Sequence, residues 1–483
     1  MNSKKIPLKR LGFFPRTNPP VFLASAGLLF LFILLGSLHP VAVSDFFAAI
    51  QKDIALYFSW VLSSAATFFL LFVLYLLISP YGKIRLGAID SKPEFSSVTW
   101  FAMLFSAGMG IGLVFWSIAE PILHFIHPPF DPELGPRALQ AMQVTYFHWG
   151  LHAWSIFTVM ALALGFFCYR KGLPLAIRSA FYPLLGDRIF GPLGHAIDIF
   201  AVVATMFGVA TSLGLGVMQI NSGLNFILGW EETTLHRVLL IAGITAVATA
   251  SVMLGLVKGI SRLSHFNLWL SGAFLAFMLA AGPTFDLLCG LGENSVAYFR
   301  NVWWMAFWSE TRADAAWRAN WTTFYMAWWV AWAPFVGMFI ARISRGRTIR
   351  QFIAGCLFGP TAATFLWLSV FGGTALNMEM SGEIPLSQAV SANVTTALFV
   401  TLGQLPWPIF TGAAATLVII TFFVTSSDSG SLVIDILTAG GDPDPPKTQR
   451  VFWAVTEGVI AAVLLMTGGL KALQTAAIST GFP

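Results

Sequence analysis

Long apolar runs separated by short polar connections recur along nearly the whole chain. A helix needs about 20 apolar residues to cross hydrocarbon. Runs of that order place spans at 21–38, 55–79, 96–119, 139–169, 192–228, 236–256, 264–285, 321–341, 350–374, 408–437 and 451–469. The pattern predicts an all-α polytopic membrane protein of eleven spans. The stretch 474–483 then reads as the entrance to a further helix, so a twelfth span is expected to be missing and the last unit shortened.

Composition supports this fold class: 57% of the 483 residues are hydrophobic, 10% are charged, and mean hydropathy is +0.76. The net charge of +5 is no sign of nucleic-acid binding, because the basic residues follow topology. With a cytoplasmic N-terminus, 20 of the 27 lysines and arginines fall in inside segments and 7 outside, as the positive-inside rule requires. Lys4, Lys5, Lys9 and Arg10 precede the first span, which lacks a small-residue cleavage site and is read as a retained helix. Cys168, Cys289 and Cys356 have neither disulfide nor metal spacing. No Ser/His/Asp set, HExxH or CxxC is present, so nothing points to an enzyme or a resident cofactor. The segment 286–320 carries Trp303, Trp304 and Trp308 among charges and reads as an amphipathic helix in the outer interface.

Four stretches carry candidate chemistry. The span at 321–341 holds Tyr325, Trp328, Trp329 and Trp332 well inside its apolar length and ends in Arg342, Arg345, Arg347 and Arg350. Interfacial belts explain tryptophans at helix ends but not inside a span. Ring faces at that depth suit a cation. Gly108, Gly110 and Gly112 lie in one span, each costing about 1 kcal/mol against alanine in a helix. Either close packing or an unwound segment facing a cavity accounts for them. Trp149 and Trp154 differ by about 140° on an ideal helix with Phe157 between them, enough to border one concave surface. His148 and His152, one turn apart, read as packing or capping, having no third metal ligand. Thr425, Ser426 and Ser427 either bond back to their own helix or, with free carbonyls, form an oxygen cage for a hard cation. Asp428 reads as a proton site or a solvated acid, Asp198 as an ionisable group at a polar gap, and Glu120-Pro121 as a helix stop.

The segment from Trp328 to Arg347, together with Gly108 to Gly112, Trp149 to Phe157, Ser212 to Gly216 and Thr425 to Asp428, closely resembles the betaine/choline/carnitine transporter family. The resemblance implies two leading helices, within 1–95, followed by LeuT-like inverted five-helix repeats. These occupy 96–290 and 321–483, with an external amphipathic helix at 291–320. It implies uptake of a quaternary-ammonium zwitterion, most like glycine betaine, at a bacterial inner membrane. The alternatives are proton-coupled choline uptake and carnitine exchange, and a homotrimer is the implied assembly.

Carried over by position, Trp149, Trp154, Phe157, Trp328 and Trp329 line a trimethylammonium cage, with Gly108, Met109 and Gly110 meeting the substrate through backbone. Trp332 and Phe339 flank the access routes. Sodium, the coupling ion, is assigned to Ser106, Met109, Phe422, Thr425 and Ser426. A second sodium site would use Thr205, but Val209 stands where another threonine is needed and supplies no oxygen. Gly112 replaces an aspartate common in proton-coupled choline carriers, which favours a zwitterionic substrate.

Overall fold

The helix that carries the tryptophan run is the axis of the molecule: 94% of its apolar window is buried, against 28% for the two outermost spans. The computed structural model describes residues 6–108, 110–130, 135–254, 261–307, 315–382 and 384–482. In chain order the long helices are α1 (Pro19–Leu38), α2 (Pro40–Ile78), α3 (Ser97–Gly108), α4 (Gly110–Ile126), α5 (Arg137–Trp149) and α6 (Leu151–Gly165). They continue as α7 (Pro192–Leu228), α8 (Thr234–Leu254), α9 (Ser261–Ala281), α10 (Thr284–Ala306) and α11 (Thr322–Ile343). The last three are α12 (Ile349–Ser381), α13 (Pro408–Thr438) and α14 (Lys447–Gly481). Among the described residues, ten helices are long and apolar enough to cross a membrane, or eleven when the bent pair α3–α4 counts as one span. The protein is an all-α multi-pass membrane protein; the only sheet among those residues is a hairpin of Lys9–Leu11 and Phe14–Thr17.

α11 packs against α6, α7 and α14, while α7 packs against α13 and α14. α1, α2, α8 and α9 lie outside, with Leu23, Leu31, Phe68, Leu239 and Trp269 exposed as lipid contact requires.

Several expected boundaries move. The second span starts at Pro40 rather than 55, because the charged stretch Pro40–Asp53 is itself helical and packs on α14. α4 runs through Glu120 and Pro121 to Ile126 instead of stopping there. The proline ring is tolerated because Gly372 of α12 lies against it: a Cβ at 372 would come 2.8 Å from the ring and 2.9 Å from the Ser117 carbonyl. The fourth span is interrupted at Gly150, between α5 and α6. α14 leaves helical geometry at Gly468 and Gly469, then continues as helix to Gly481. α10 (Thr284–Ala306) begins before the helix expected at 291–320, with Leu287, Tyr298 and Met305 buried and Phe285, Phe299 and Trp303 exposed; Trp308 lies outside the described residues.

The arginines after α11 lie in a loop that holds two helices together. Gly346 donates to the Leu86 carbonyl at 2.7 Å, Leu86 to Arg347 at 2.9 Å and Ile349 to Ile84 at 2.8 Å, so this loop pairs with the one leading into α3. Arg347 lies 4.0 Å from the Trp100 ring centroid, and Arg342 pairs with Glu94 at 3.1 Å. Gly346 has φ +87°, and a Cβ there would fall 2.1 Å from the Lys92 carbonyl. Asp198 is equally structural. It is buried and accepts from Arg178 Nε at 2.6 Å and from the Arg178 backbone at 3.0 Å, which replaces the polar gap expected for it.

Candidate functional site

The break at Gly150 shapes the aromatic site. Its ψ of −139° ends α5 immediately after Trp149, and a Cβ at 150 would meet the Tyr146 carbonyl at 2.5 Å. Trp154 and Phe157 then rise from the first turns of α6. Trp329 faces them from the middle of α11.

Their rings meet edge to face around one small space. Trp149 and Trp329 have centroids 5.0 Å apart at 70°, Trp329 and Phe157 5.9 Å at 82°, and Phe157 and Trp154 5.6 Å at 79°. Gly108, Ala153 and Thr364 complete the lining. The space enclosed is ≈ 10 Å³, about what one water needs, so a larger guest must spread the rings. Gly108 makes the enclosure possible, since a Cβ there would lie 2.5 Å from the Trp154 ring.

The indole N–H groups are used to fix the rings. Trp329 donates to the His148 carbonyl at 2.8 Å, Trp149 to Glu120 at 2.7 Å and Trp332 to the Gly208 carbonyl at 2.8 Å. With the N–H groups of Trp149 and Trp329 bonded to protein, what these two walls of the cage offer a guest is ring surface. Such a surface attracts a quaternary onium group, which cannot donate N–H hydrogen bonds and binds ring faces electrostatically.

Not every residue assigned to the cage lies in it. Trp328 sits behind Trp329, stacked at 5.1 Å and 12°, and its Cη2 lies 2.8 Å from where a Cβ of Gly112 would be. Gly110 faces Ser426 Oγ, 3.1 Å from its own ideal Cβ position. Met109 lies outside the described residues. Trp332 and Phe339 are both buried, Trp332 with its edge to Trp328 and Trp329.

Glu120 is the residue that reading the sequence as a helix stop overlooked. It is fully buried in α4 and takes four donors: His148 Nδ1 at 2.6 Å and His124 Nε2 at 3.2 Å on one oxygen, Trp149 Nε1 at 2.7 Å and Tyr325 Oη at 2.5 Å on the other. The ligand atoms of Glu120, His124 and His148 lie within 4.8 Å of one another, a spacing a metal could use. An ionised carboxylate has about four acceptor sites, and protein donors fill all of them. The partner of His148 is therefore Glu120 and not His152, whose two ring nitrogens have no hydrogen-bond partner. An acid in an apolar run with a histidine four residues on was the available signal.

The hydroxyl run in α13 spreads around the helix, as 100° per residue dictates. Thr425 accepts from Asn267 of α9 at 3.1 Å and bonds back to the Thr421 carbonyl at 3.0 Å and the Phe422 carbonyl at 3.1 Å. Ser426 faces Gly110 at the start of α4, and its hydroxyl has no partner among the described residues. Ser427 donates to Glu457 of α14 at 2.9 Å, and Asp428 accepts from Ser251 of α8 at 2.7 Å. Asp428 is thus buried and hydrogen-bonded, not solvated. α13 is continuous here, while the 60° bend between Ser97–Phe105 and Gly110–Ile126 supplies the interrupted backbone, with Ser106 at its edge. Thr205 Oγ1 is buried without a partner among the described residues, and Val209 packs against Gly430.

Comparisons with known proteins identify the family. A family model described as BCCT, betaine/carnitine/choline family transporter, matches residues 20–483. A probable glycine betaine transporter of Desulfitobacterium hafniense is 45% identical over 98% of this chain and 95% of its own length. The glycine betaine transporter of Acinetobacter baylyi is 45% identical over 99% of this chain and 73% of its own. A glycine betaine/proline/choline/ectoine transporter of Vibrio parahaemolyticus is 45% identical over 96% of this chain and 84% of its own. Family, helices and ring pocket together describe a transporter and not an enzyme, and the chain belongs to the betaine/carnitine/choline transporter family.

Proposed function

We propose that this transporter takes up a quaternary-ammonium compatible solute, glycine betaine first among candidates, by sodium symport with alternating access. The observation that carries the reading is the enclosure formed by Trp149, Trp154, Phe157 and Trp329 around one space. A desolvated ring cage of this kind is worth about 2 kcal/mol or more for a trimethylammonium head. Gly112 leaves no carboxylate to meet a net cation, and this favours a zwitterion over choline.

Sodium is assigned to the break between α3 and α4, with the Ser106 and Met109 carbonyls as ligands beside Phe422, Thr425 and Ser426; the buried Ser426 hydroxyl facing Gly110, unpartnered among the described residues, supports this reading. A neutral zwitterion gains nothing from the membrane potential, whereas each accompanying sodium contributes about 2.3 kcal/mol per 100 mV. One ion at that voltage sustains roughly fifty-fold accumulation. The wider arrangement is two leading helices followed by five-helix inverted repeats, with the N-terminus on the cytoplasmic side of a bacterial inner membrane and a homotrimer as the assembly.

Uptake of radiolabelled glycine betaine into proteoliposomes tests this directly. Replacing external sodium by potassium should abolish accumulation. Uptake that persists refutes sodium coupling, and no betaine binding at all refutes the substrate.

A further inference from the structure

The ring cage is wired to a buried charge. Among the described residues, the ion-pair contacts of Glu120 are with His124 and His148 alone, with no lysine or arginine beside it. One of its oxygens holds the N–H edge of Trp149 at 2.7 Å, and the same oxygen holds the Tyr325 hydroxyl at 2.5 Å. Tyr325 in turn lies 5.5 Å from Trp149 and 5.8 Å from Trp329, centroid to centroid.

A hydrogen bond to an ionised acceptor is roughly twice as strong as one between neutral groups, and it polarises the donor. When the donor is an indole N–H, electron density shifts away from that proton onto the ring, and the ring face becomes more negative. The affinity of an aromatic face for a cation depends on that negative potential. A carbonyl acceptor, such as the one that holds Trp329, has a smaller effect of the same kind.

We infer that Glu120 is a specificity-determining residue acting through Trp149: its carboxylate enriches the indole face and so makes the cage prefer an onium head to an uncharged group of the same shape. The inference rests on the proposed reading of the pocket as an onium site. Glu120 touches no substrate on this account; it acts as a positioning and polarising residue.

The test compares two ligands on the purified full chain: glycine betaine and 3,3-dimethylbutanoate, which has carbon in place of the quaternary nitrogen. Trp149 is replaced by 3-benzothienylalanine, whose sulfur stands where the N–H was and whose ring keeps its size. Glycine betaine affinity should fall roughly tenfold, with the affinity for the isostere, whose head is uncharged, changing less than about twofold. Glu120→Gln should lower the same preference, and on the benzothienylalanine background it should add less than about twofold. Equal loss for both ligands, unchanged betaine affinity, or a full second loss from Glu120→Gln on that background each overturns the inference. The Trp149 replacement decides the matter alone if Glu120→Gln does not fold, because it leaves the carboxylate and its other three donors in place. A wild-type chain that binds no betaine would sink the onium reading itself, a different result from any of these.

Discussion

Gly108→Ala is the sharpest probe of the cage. The added methyl would sit 2.5 Å from Trp154 Cη2 and 2.9 Å from Cζ3, where carbon atoms prefer about 3.5–4.0 Å. The indole must therefore move by about 1 Å or more. The space in front of it is only ≈ 10 Å³, so the ring either fills the cage or swings away from Phe157. Overpacking of this kind costs about 1–3 kcal/mol. Gly108 closes α3 and does not sit mid-helix, so the usual helix-propensity gain of alanine offsets little of it. If that cost falls on the bound geometry, the Kd for glycine betaine rises roughly 5- to 150-fold. Gly110→Ala is the control, since its Cβ meets only the Ser426 hydroxyl at 3.1 Å. It should change sodium dependence while leaving betaine affinity at saturating sodium within about twofold. Equilibrium binding of labelled betaine to purified protein at saturating sodium separates the two, with melting temperature reporting on folding. Wild-type affinity in Gly108→Ala, or the same loss in Gly110→Ala, would refute the placement of these glycines.

Trp329→Ala removes one ring face and should weaken betaine binding tenfold or more, about 1.4 kcal/mol or above; unchanged binding would take the cage out of the account. Thr425→Ala removes the oxygen that accepts from Asn267 and should raise the sodium concentration needed for half-maximal uptake. An unaltered sodium response places the ion elsewhere. Arg178→Ala leaves Asp198 buried and uncompensated and should destabilise the protein by about 3–5 kcal/mol, whereas Arg178→Met with Asp198→Leu should cost far less. Detergent melting curves measure both, and equal losses would contradict a buried ion pair.

Much of this site can be read from the chain because its parts are local. Trp149, Trp154 and Phe157 fall within three turns, and Trp329 stands out as an aromatic deep inside a span. What stays hidden depends on rotation and on distant partners. Trp328 and Trp329 are adjacent, yet only one faces the pocket, because neighbours on a helix point 100° apart. Glu120 reads as a helix end because Pro121 follows it; its donors come from α4, α5 and α11, far apart in sequence. The helix at Pro40–Asp53 carries too many polar residues to read as a span, and its packing on α14 is visible only in three dimensions. Likewise, Asp198 and Asp428 are ionisable groups within spans, a pattern that flags function by default, but Arg178 and Ser251 engage them as structure.

The backbone pairing between residues 84–86 and 346–349 has a mechanical consequence. It clamps the C-terminal end of the tryptophan helix to the segment that feeds the broken helix, so the two cannot tilt independently at that end. α11 carries Trp329 and α3 ends at Gly108, so a tilt of either helix is coupled to the other side of the pocket. Wall and floor of the pocket are in this sense two arms of a single lever.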